Sequence, residues 1–268
     1  MKIKFEKYQG TGNDFIIIDA RNKPAISLPV AQMCDRKFGI GADGLMLLTS
    51  EESYDFGMVY YNADGNISTM CGNGGRCLSA YAHALGIGKK NKLHFLAIDG
   101  PHDAEIINHQ LVSLQMIDVQ QIQTLHGNAF ELNTGSPHYV SFVSQLKEMN
   151  IVNEAKLIRY NDKYKNTGIN VNFVSVNKDN HLDIRTYERG VEDETLSCGT
   201  GVTACALAYA KNISLPDGSH TIKLNTMGGL LEVSFTKKGD SYHTIWLKGP
   251  AIHVFSGEWP FNSGAFTV

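Results

Sequence analysis

Two stretches of the chain repeat one unusual arrangement, a cysteine and two glycines in the spacing C-G-x-G ahead of a run rich in alanine and other apolar residues. They begin at Cys71 (CGNGGRCLSAYAHALG) and at Cys198 (CGTGVTACALAYAK), 127 residues apart in a chain of 268. Each predicts a helix, from Cys71 to about Gly86 and from Cys198 to about Lys211, with almost no polar face. A helix that is apolar all round has to be buried. What surrounds these two is strand sequence: KIKFEKY, FIIIDA, DFGMVYYN, KLHFLAI, LVSLQMI, INVNFVSVN, HLDIRTYE, TIKLNTM, LLEVSFT and YHTIWLK all alternate or are β-branched. Short strands bury such a helix by curling a sheet around it. The expected fold is therefore α/β (α+β), with two similar domains, each a curved mixed β-sheet wrapped around a central buried helix.

A repeat of this length means a diverged duplication of a whole domain and not a solenoid. The division is placed where LVSLQMIDVQQIQT passes from strand to polar sequence, giving domains 1–117 and 118–254, with 255–268 free to return to the first. Turn clusters such as NADGN, NKDN, LPDGS and KKGD separate many strands, so hairpins and antiparallel pairs should be common. Gly39-Ile40-Gly41-Ala42-Asp43-Gly44 matches the dinucleotide fingerprint literally. The fingerprint needs a strand before it and a helix after. Here a helix-like VAQMCDRKF precedes and a strand-like LMLLTS follows, so the segment reads as a turn.

Composition excludes whole classes of function. Lysine and arginine total 24 against 27 acidic residues and form no basic run, which points to small-molecule partners and away from nucleic acid. No segment approaches the roughly 18 apolar residues of a membrane span, and MKIKFEKYQG reads as a strand, so a cytoplasmic location is expected. Five cysteines, at positions 34, 71, 77, 198 and 205, are an odd number in a long chain. Reduced thiols fit them better than a disulfide framework.

A thiol at a helix start is activated, because unpaired N–H groups and the helix dipole favour the thiolate. Moving its pKa from about 8.5 to about 7 takes roughly 2 kcal/mol, within reach of a partly buried helix terminus. Glycines after each cysteine leave the amides open to a carboxylate. A thiolate on one face of an α-carbon and a thiol on the other remove a proton and return one with inversion. Cys71 and Cys198 are the candidate pair, and Cys34, Cys77 and Cys205 read as small buried hydrophobes. Zinc does not suit them. Cys71 and Cys77 point to different helix faces, and Cys198 and Cys205 lie roughly 10 Å apart along an axis. A cysteine hydrolase pairing either thiol with His138 stands as an alternative, although it leaves the second cysteine without a role.

The segments GTGNDF (10–15), YNADGN (61–66), MCGNGGRC (70–77), TGSPHYV (134–140), GINVNFV (168–174) and YERGVEDETLSCGTG (187–201) together closely resemble the diaminopimelate epimerase family. The resemblance runs in family order over nearly the whole chain. It implies an active site in the cleft between the two domains, a homodimer, and interconversion of LL- and meso-diaminopimelate without cofactor or metal. Carried over by position, Cys71 is the proton donor and Cys198 the acceptor, with His138 and Glu188 modulating the thiols. Gly72, Asn73, Gly199 and Thr200 bind the α-carboxylate, while Asn13, Asn62, Asn170, Glu188 and Arg189 bind the distal amino-acid group. Two positions depart from a common form of the pattern: Gly44 replaces a glutamine and Ser136 an asparagine. A racemase of proline or hydroxyproline is the alternative within enzymes. A non-catalytic amino-acid-binding protein is the alternative outside them.

Overall fold

Short strands joined by tight turns leave few ways to bury an apolar helix, and both halves of the chain adopt the same one. The computed structural model describes residues 2–21, 27–68 and 70–260. The chain forms two compact units, Met1–Val112 with Pro250–Val268, and Ser113–Gly249.

In the first unit β1 (Lys2–Gly10), β2 (Asn13–Asp19), α1 (Val30–Cys34), β3 (Gly44–Thr49), β4 (Phe56–Asn62), α2 (Gly72–Ala84), β5 (Lys92–Ala97) and β6 (Gly100–Asn108) follow in order. Neighbouring pairs alternate in sense: β1–β2, β3–β4 and β5–β6 are antiparallel, whereas β2–β3 and β4–β5 are parallel. Parallel neighbours need a crossover, and α2 lies in the one from β4 to β5. It packs against β1, β2, β3, β4 and β6 of its own unit, so the sheet curls around it.

The change of unit falls inside β7 (Leu111–Met116). The second unit then has β8 (Gln123–Leu125), β9 (Ala129–Asn133), β10 (Pro137–Phe142), α3 (Ile151–Arg159), β11 (Asn170–Val176), β12 (Leu182–Glu188), β13 (Asp193–Thr195), α4 (Gly199–Asn212), β14 (Gly218–Thr226), β15 (Gly229–Lys238) and β16 (Ser241–Pro250). The alternation recurs, with β9–β10, β11–β12 and β14–β15 antiparallel and β10–β11 and β12–β14 parallel. Here α4 fills the crossover into β14 and packs against β9, β10, β11, β12, β14 and β15. Finally β17 (Ile252–Pro260) pairs antiparallel with β1 and returns the chain to the first unit. Of the expected return segment 255–268, residues 261–268 lie outside the described residues.

Both predicted helices form within one or two residues of their expected ends. In α4, Val202, Ala204, Cys205, Ala206, Leu207, Ala208 and Ala210 are all fully enclosed. Truncating Leu207 to alanine would cost about 2–5 kcal/mol by the usual cavity arithmetic. α2 is less apolar than its sequence suggests: Asn73, Arg76 and Ser79 are buried with it. The helix expected at VAQMCDRKF stops at Cys34, because Asp35 turns extended and its carboxylate accepts the amides of Lys37 and Phe38 at 2.7 Å each. The glycine-rich segment after it runs as a turn into β3, with Gly41 at φ +81°.

Candidate active site

Cys71 and Cys198 are the N-cap residues of α2 and α4. Both backbones are extended there, and each cysteine carbonyl accepts the first helical amide, from Gly75 at 2.7 Å and from Val202 at 2.8 Å. The first-turn amides of a helix have no acceptor inside it. In α2 these belong to Gly72, Asn73 and Gly74, and in α4 to Gly199, Thr200 and Gly201. Each helix start therefore offers N–H groups and the positive end of a dipole beside a thiol. Small residues after each cysteine keep the approach open.

In the first unit, Asn13 at the head of β2 meets this helix start. Its Nδ2 donates to Asp43 Oδ2 at 2.6 Å, which turns its Oδ1 toward Cys71 Sγ at 3.6 Å and Asn73 Nδ2 at 3.4 Å. A carbonyl oxygen only accepts, so this contact suits a protonated Cys71. Asp43 and Asp14 share Arg36, and Asp14 also pairs with Lys7 at 2.7 Å. Burial of Asp14 opposes its ionisation, but Arg36 and Lys7 outweigh it and hold the carboxyl down to about 2. Asn62 ends β4 and is exposed, its backbone engaged in a turn with Gly65 and Asn66. Gly44, opposite Asn62, has no room for a side chain: a Cβ there would lie 2.5 Å from the Tyr60 ring.

The second unit surrounds its cysteine differently. Cys198 Sγ lies 3.4 Å from Thr200 Oγ1, which lies 2.9 Å from His138 Nε2. His138 is wholly buried on β10, and burial with the charge of Arg189 lowers its pKa to about 3, so the ring is neutral. Its tautomer follows from Asn172. That amide's Nδ2 is 3.0 Å from the Tyr139 carbonyl, which can only accept, and 3.1 Å from His138 Nδ1. Nδ1 therefore accepts and the ring proton sits on Nε2. His138 donates to Thr200, leaving the threonine proton to point at the sulfur. This suits an ionised Cys198.

Around this centre Asn170 Nδ2 donates to Ser136 Oγ at 2.9 Å and to the Pro137 carbonyl at 3.0 Å, while its Oδ1 accepts the Arg189 amide at 2.9 Å. The Arg189 guanidinium is exposed and donates to the Thr167 carbonyl at 3.1 Å. It crosses Gly168, where a Cβ would lie 2.5 Å from Arg189 Cδ and φ is +73°. Glu188 ends β12 and accepts from Thr195 Oγ1 at 3.0 Å.

The expected residues thus gather in each unit: Asn13, Cys71, Gly72 and Asn73 in the first, His138, Asn170, Glu188, Arg189, Cys198, Gly199 and Thr200 in the second. Among the described residues the Asn62 side chain forms no hydrogen bond to the Asn13 cluster. Sequence reasoning missed Asn172, Thr186, whose hydroxyl donates to Asn172 Oδ1 at 3.0 Å, and Arg76. The period-two pair Asn170 and Asn172 in INVNFV was the available signal. A Cys–His hydrolase is also disfavoured, because His138 turns a donor toward Thr200 where a base would need a lone pair toward the thiol.

The family model described as diaminopimelate epimerase matches residues 5–121 and 130–254. The chain belongs to the diaminopimelate epimerase family. It is 53% identical over 256 residues to the diaminopimelate epimerase of Flavobacterium psychrophilum, covering 94% of this chain and 98% of that protein. It is 41% identical to that of Chlorobaculum tepidum, covering 92% and 98%. Among solved structures, a PhzF-family phenazine biosynthesis protein of Bacillus anthracis superposes with TM-score 0.76 at 15% identity, covering 97% of this chain and all of that one. A probable proline racemase of Agrobacterium radiobacter superposes at 0.69 and 14% identity, covering 97% and 93%. At these identities the structures share the fold and do not favour proline as the substrate. Within the epimerase family's pattern, Gly44 is explained by Tyr60 occupying its side-chain space, and Ser136 keeps a hydrogen bond to Asn170.

Proposed function

We propose that this member of the family interconverts LL- and meso-diaminopimelate by a two-base proton transfer between Cys198 and Cys71. The observation that carries the reading is the unequal bonding of the two thiols. Cys198 receives a hydrogen bond relayed from His138 through Thr200, and Cys71 gives one to Asn13. In the LL-to-meso direction, Cys198 as thiolate takes the Cα proton and its lone pair becomes the new S–H bond. The electron pair left behind delocalises onto the α-carboxylate. Cys71 then gives its proton to the opposite face of the same carbon and becomes the thiolate. The reverse reaction exchanges the roles.

Thiolates alone do not make a weakly acidic Cα–H leave. The amides of Gly72, Asn73, Gly199 and Thr200 are aimed, in this reading, at the carboxylate that gains charge, and one such donor is worth about 10²- to 10³-fold in rate. Inversion by this route needs both thiols at one carbon, on opposite faces. Asn13, Asn62, Asn170, Glu188 and Arg189 bind the distal ammonium and carboxylate, the planar guanidinium fitting the carboxylate. All the chemistry is assigned to side chains and amides of this chain, without cofactor or metal.

A cytoplasmic homodimer belongs to the same proposal, and among the described residues no helix is long and apolar enough to cross a membrane. Light scattering of the purified protein and fractionation of cells test those two points. The central test incubates the reduced protein with LL-diaminopimelate in D2O. Formation of the meso isomer carrying deuterium at Cα is expected, and no turnover of L-proline or hydroxyproline. Absence of both isomer and label would overturn the reading.

A further inference from the structure

α2 encloses a charge that nothing in the sequence led one to expect inside. Arg76 is 0% exposed. Its Nη2 donates to Asn73 Oδ1 at 2.8 Å and its Nε reaches the Pro250 carbonyl at 3.4 Å, while Nη1 is buried without an acceptor among the described residues. Four other arginines are matched by acids: Arg21 with Asp19, Arg185 with Glu194, Arg159 with Glu192, and Arg36 with Asp14 and Asp43. Among the described residues Arg76 has no carboxylate in ion-pair range. A buried cation lacking an anion is penalised by several kcal/mol.

Across α2 and the strands packed on it (β1, β2, β3, β4, β6 and β17), the titratable groups that act on Arg76 are two thiols, Cys77 and Cys71. Burial pushes the Cys77 thiol up to about 12, so it stays protonated. Cys71, half-buried at the helix start, is the group able to become the missing anion. The bond to Asn73 Oδ1 has a second effect. It turns Asn73 Nδ2 toward Asn13 Oδ1, the atom that also faces the Cys71 thiol. In α4, five residues beyond Cys198, the corresponding position holds Thr203, whose hydroxyl donates to the Gly199 carbonyl at 3.0 Å. The cation is particular to the Cys71 side.

We propose that Arg76 is a positioning residue for Cys71: its uncompensated charge favours the Cys71 thiolate formed after proton donation, and its guanidinium fixes the Asn73 amide beside the thiol. This rests on the two-base reading above for its role in turnover, but not for its effect on the sulfur. An isolated Cys71 bonded to Asn13 is held as a thiol. The buried cation brings it closer in acidity to Cys198, as a reaction that runs both ways through both thiols requires.

The test measures site-resolved alkylation by iodoacetamide against pH, read by mass spectrometry of the Cys71 and Cys198 peptides in the reduced, substrate-free protein. Arg76→Met should raise the Cys71 midpoint by at least about one pH unit, a tenfold loss of thiolate, and leave the Cys198 midpoint in place. Arg76→Lys should restore the Cys71 midpoint to within about 0.3 unit, while kcat stays reduced at unchanged KM because the Asn73 contact is lost. A folded Arg76→Met protein with an unshifted Cys71 midpoint overturns the proposal. If that variant does not fold, a shifted midpoint in Arg76→Lys overturns it and an unshifted one supports it. Because alkylation needs no substrate, a protein inactive on diaminopimelate but showing the shift would sink the epimerase reading alone.

Discussion

The two cysteine helices start from the same backbone and end in different hydrogen bonding. Each has an extended cysteine N-cap, glycine-lined first-turn amides and a crossover helix in a sheet with the same alternation of sense. Position by position the side chains differ. β10 puts His138 beside Asn170 where β2 puts Phe15 beside Gly44, both pairs in parallel register and both His138 and Phe15 wholly buried. α4 presents the Thr200 hydroxyl where α2 presents the Asn73 amide. One thiol thus receives a hydrogen bond and the other gives one. The two helix starts share a backbone, and a handful of side chains sets their bonding apart; in the proposed mechanism that difference makes one a base and the other an acid.

The largest effect that would break this comparison is removal of either sulfur. Cys71→Ala and Cys198→Ala should each lower kcat/KM by about 10³-fold or more, and an assay showing either variant near normal would mean the helix starts are not a working pair. Next comes Thr200→Val, which interrupts the relay in one unit only. Loss of a hydrogen bond to a charged sulfur is worth about 1.5–3 kcal/mol, so the Cys198 alkylation midpoint should rise by about one to two pH units with Cys71 unchanged.

The His138–Phe15 difference makes a smaller, pH-dependent prediction. His138 titrates near 3 when folded against about 6.5 when unfolded, so the unfolded chain binds the extra proton first. Its contribution is complete above about 6.5 and is lost as the pH falls toward 3, at up to about 1.4 kcal/mol per pH unit. Asp14 adds its own loss only below about 3.8, as its pKa is near 2 in the folded state. Denaturant midpoints measured from pH 7 to 5 should fall, and His138→Asn should flatten that slope; an equal slope in the variant would assign it elsewhere.

The smallest contrast concerns matched glycines three residues after each cysteine. At Gly201 a Cβ would lie 2.6 Å from Asn172 Oδ1, an atom held in the His138 network, whereas at Gly74 it would meet the flexible end of Met46 at 3.1 Å. Gly201→Ala should cost about 1–3 kcal/mol in unfolding free energy and Gly74→Ala less than about 1 kcal/mol. Equal costs would show that the two surroundings are equally yielding.

The helix starts were legible in the sequence because local signals agree there: an apolar run, glycines just inside it and a cysteine where a cap belongs. The strands of alternating residues were legible for the same reason. β6 was not, since Pro101 and Asp103 contradict strand preferences and its pairing with β5 decides the matter. α3 was hidden by its length of nine residues, although Asn150 caps it by accepting the Asn153 amide. Arg76 and Asn172 were unreadable for a different reason. A polar residue's burial depends on partners distant in the chain, such as the Pro250 carbonyl for one and His138 for the other.

The pairing of β17 with β1 also sets an order of assembly. Lys2 stands opposite Pro260, so one edge of the first unit waits for the last described residue to be made. The second unit, Ser113–Gly249, has all its strands in hand before that point. During synthesis from the N-terminus, the half carrying Cys198 is therefore the first able to close, and the half that begins first finishes last. Nascent chains released before residue 252 would carry a finished Cys198 unit and an unfinished Cys71 unit.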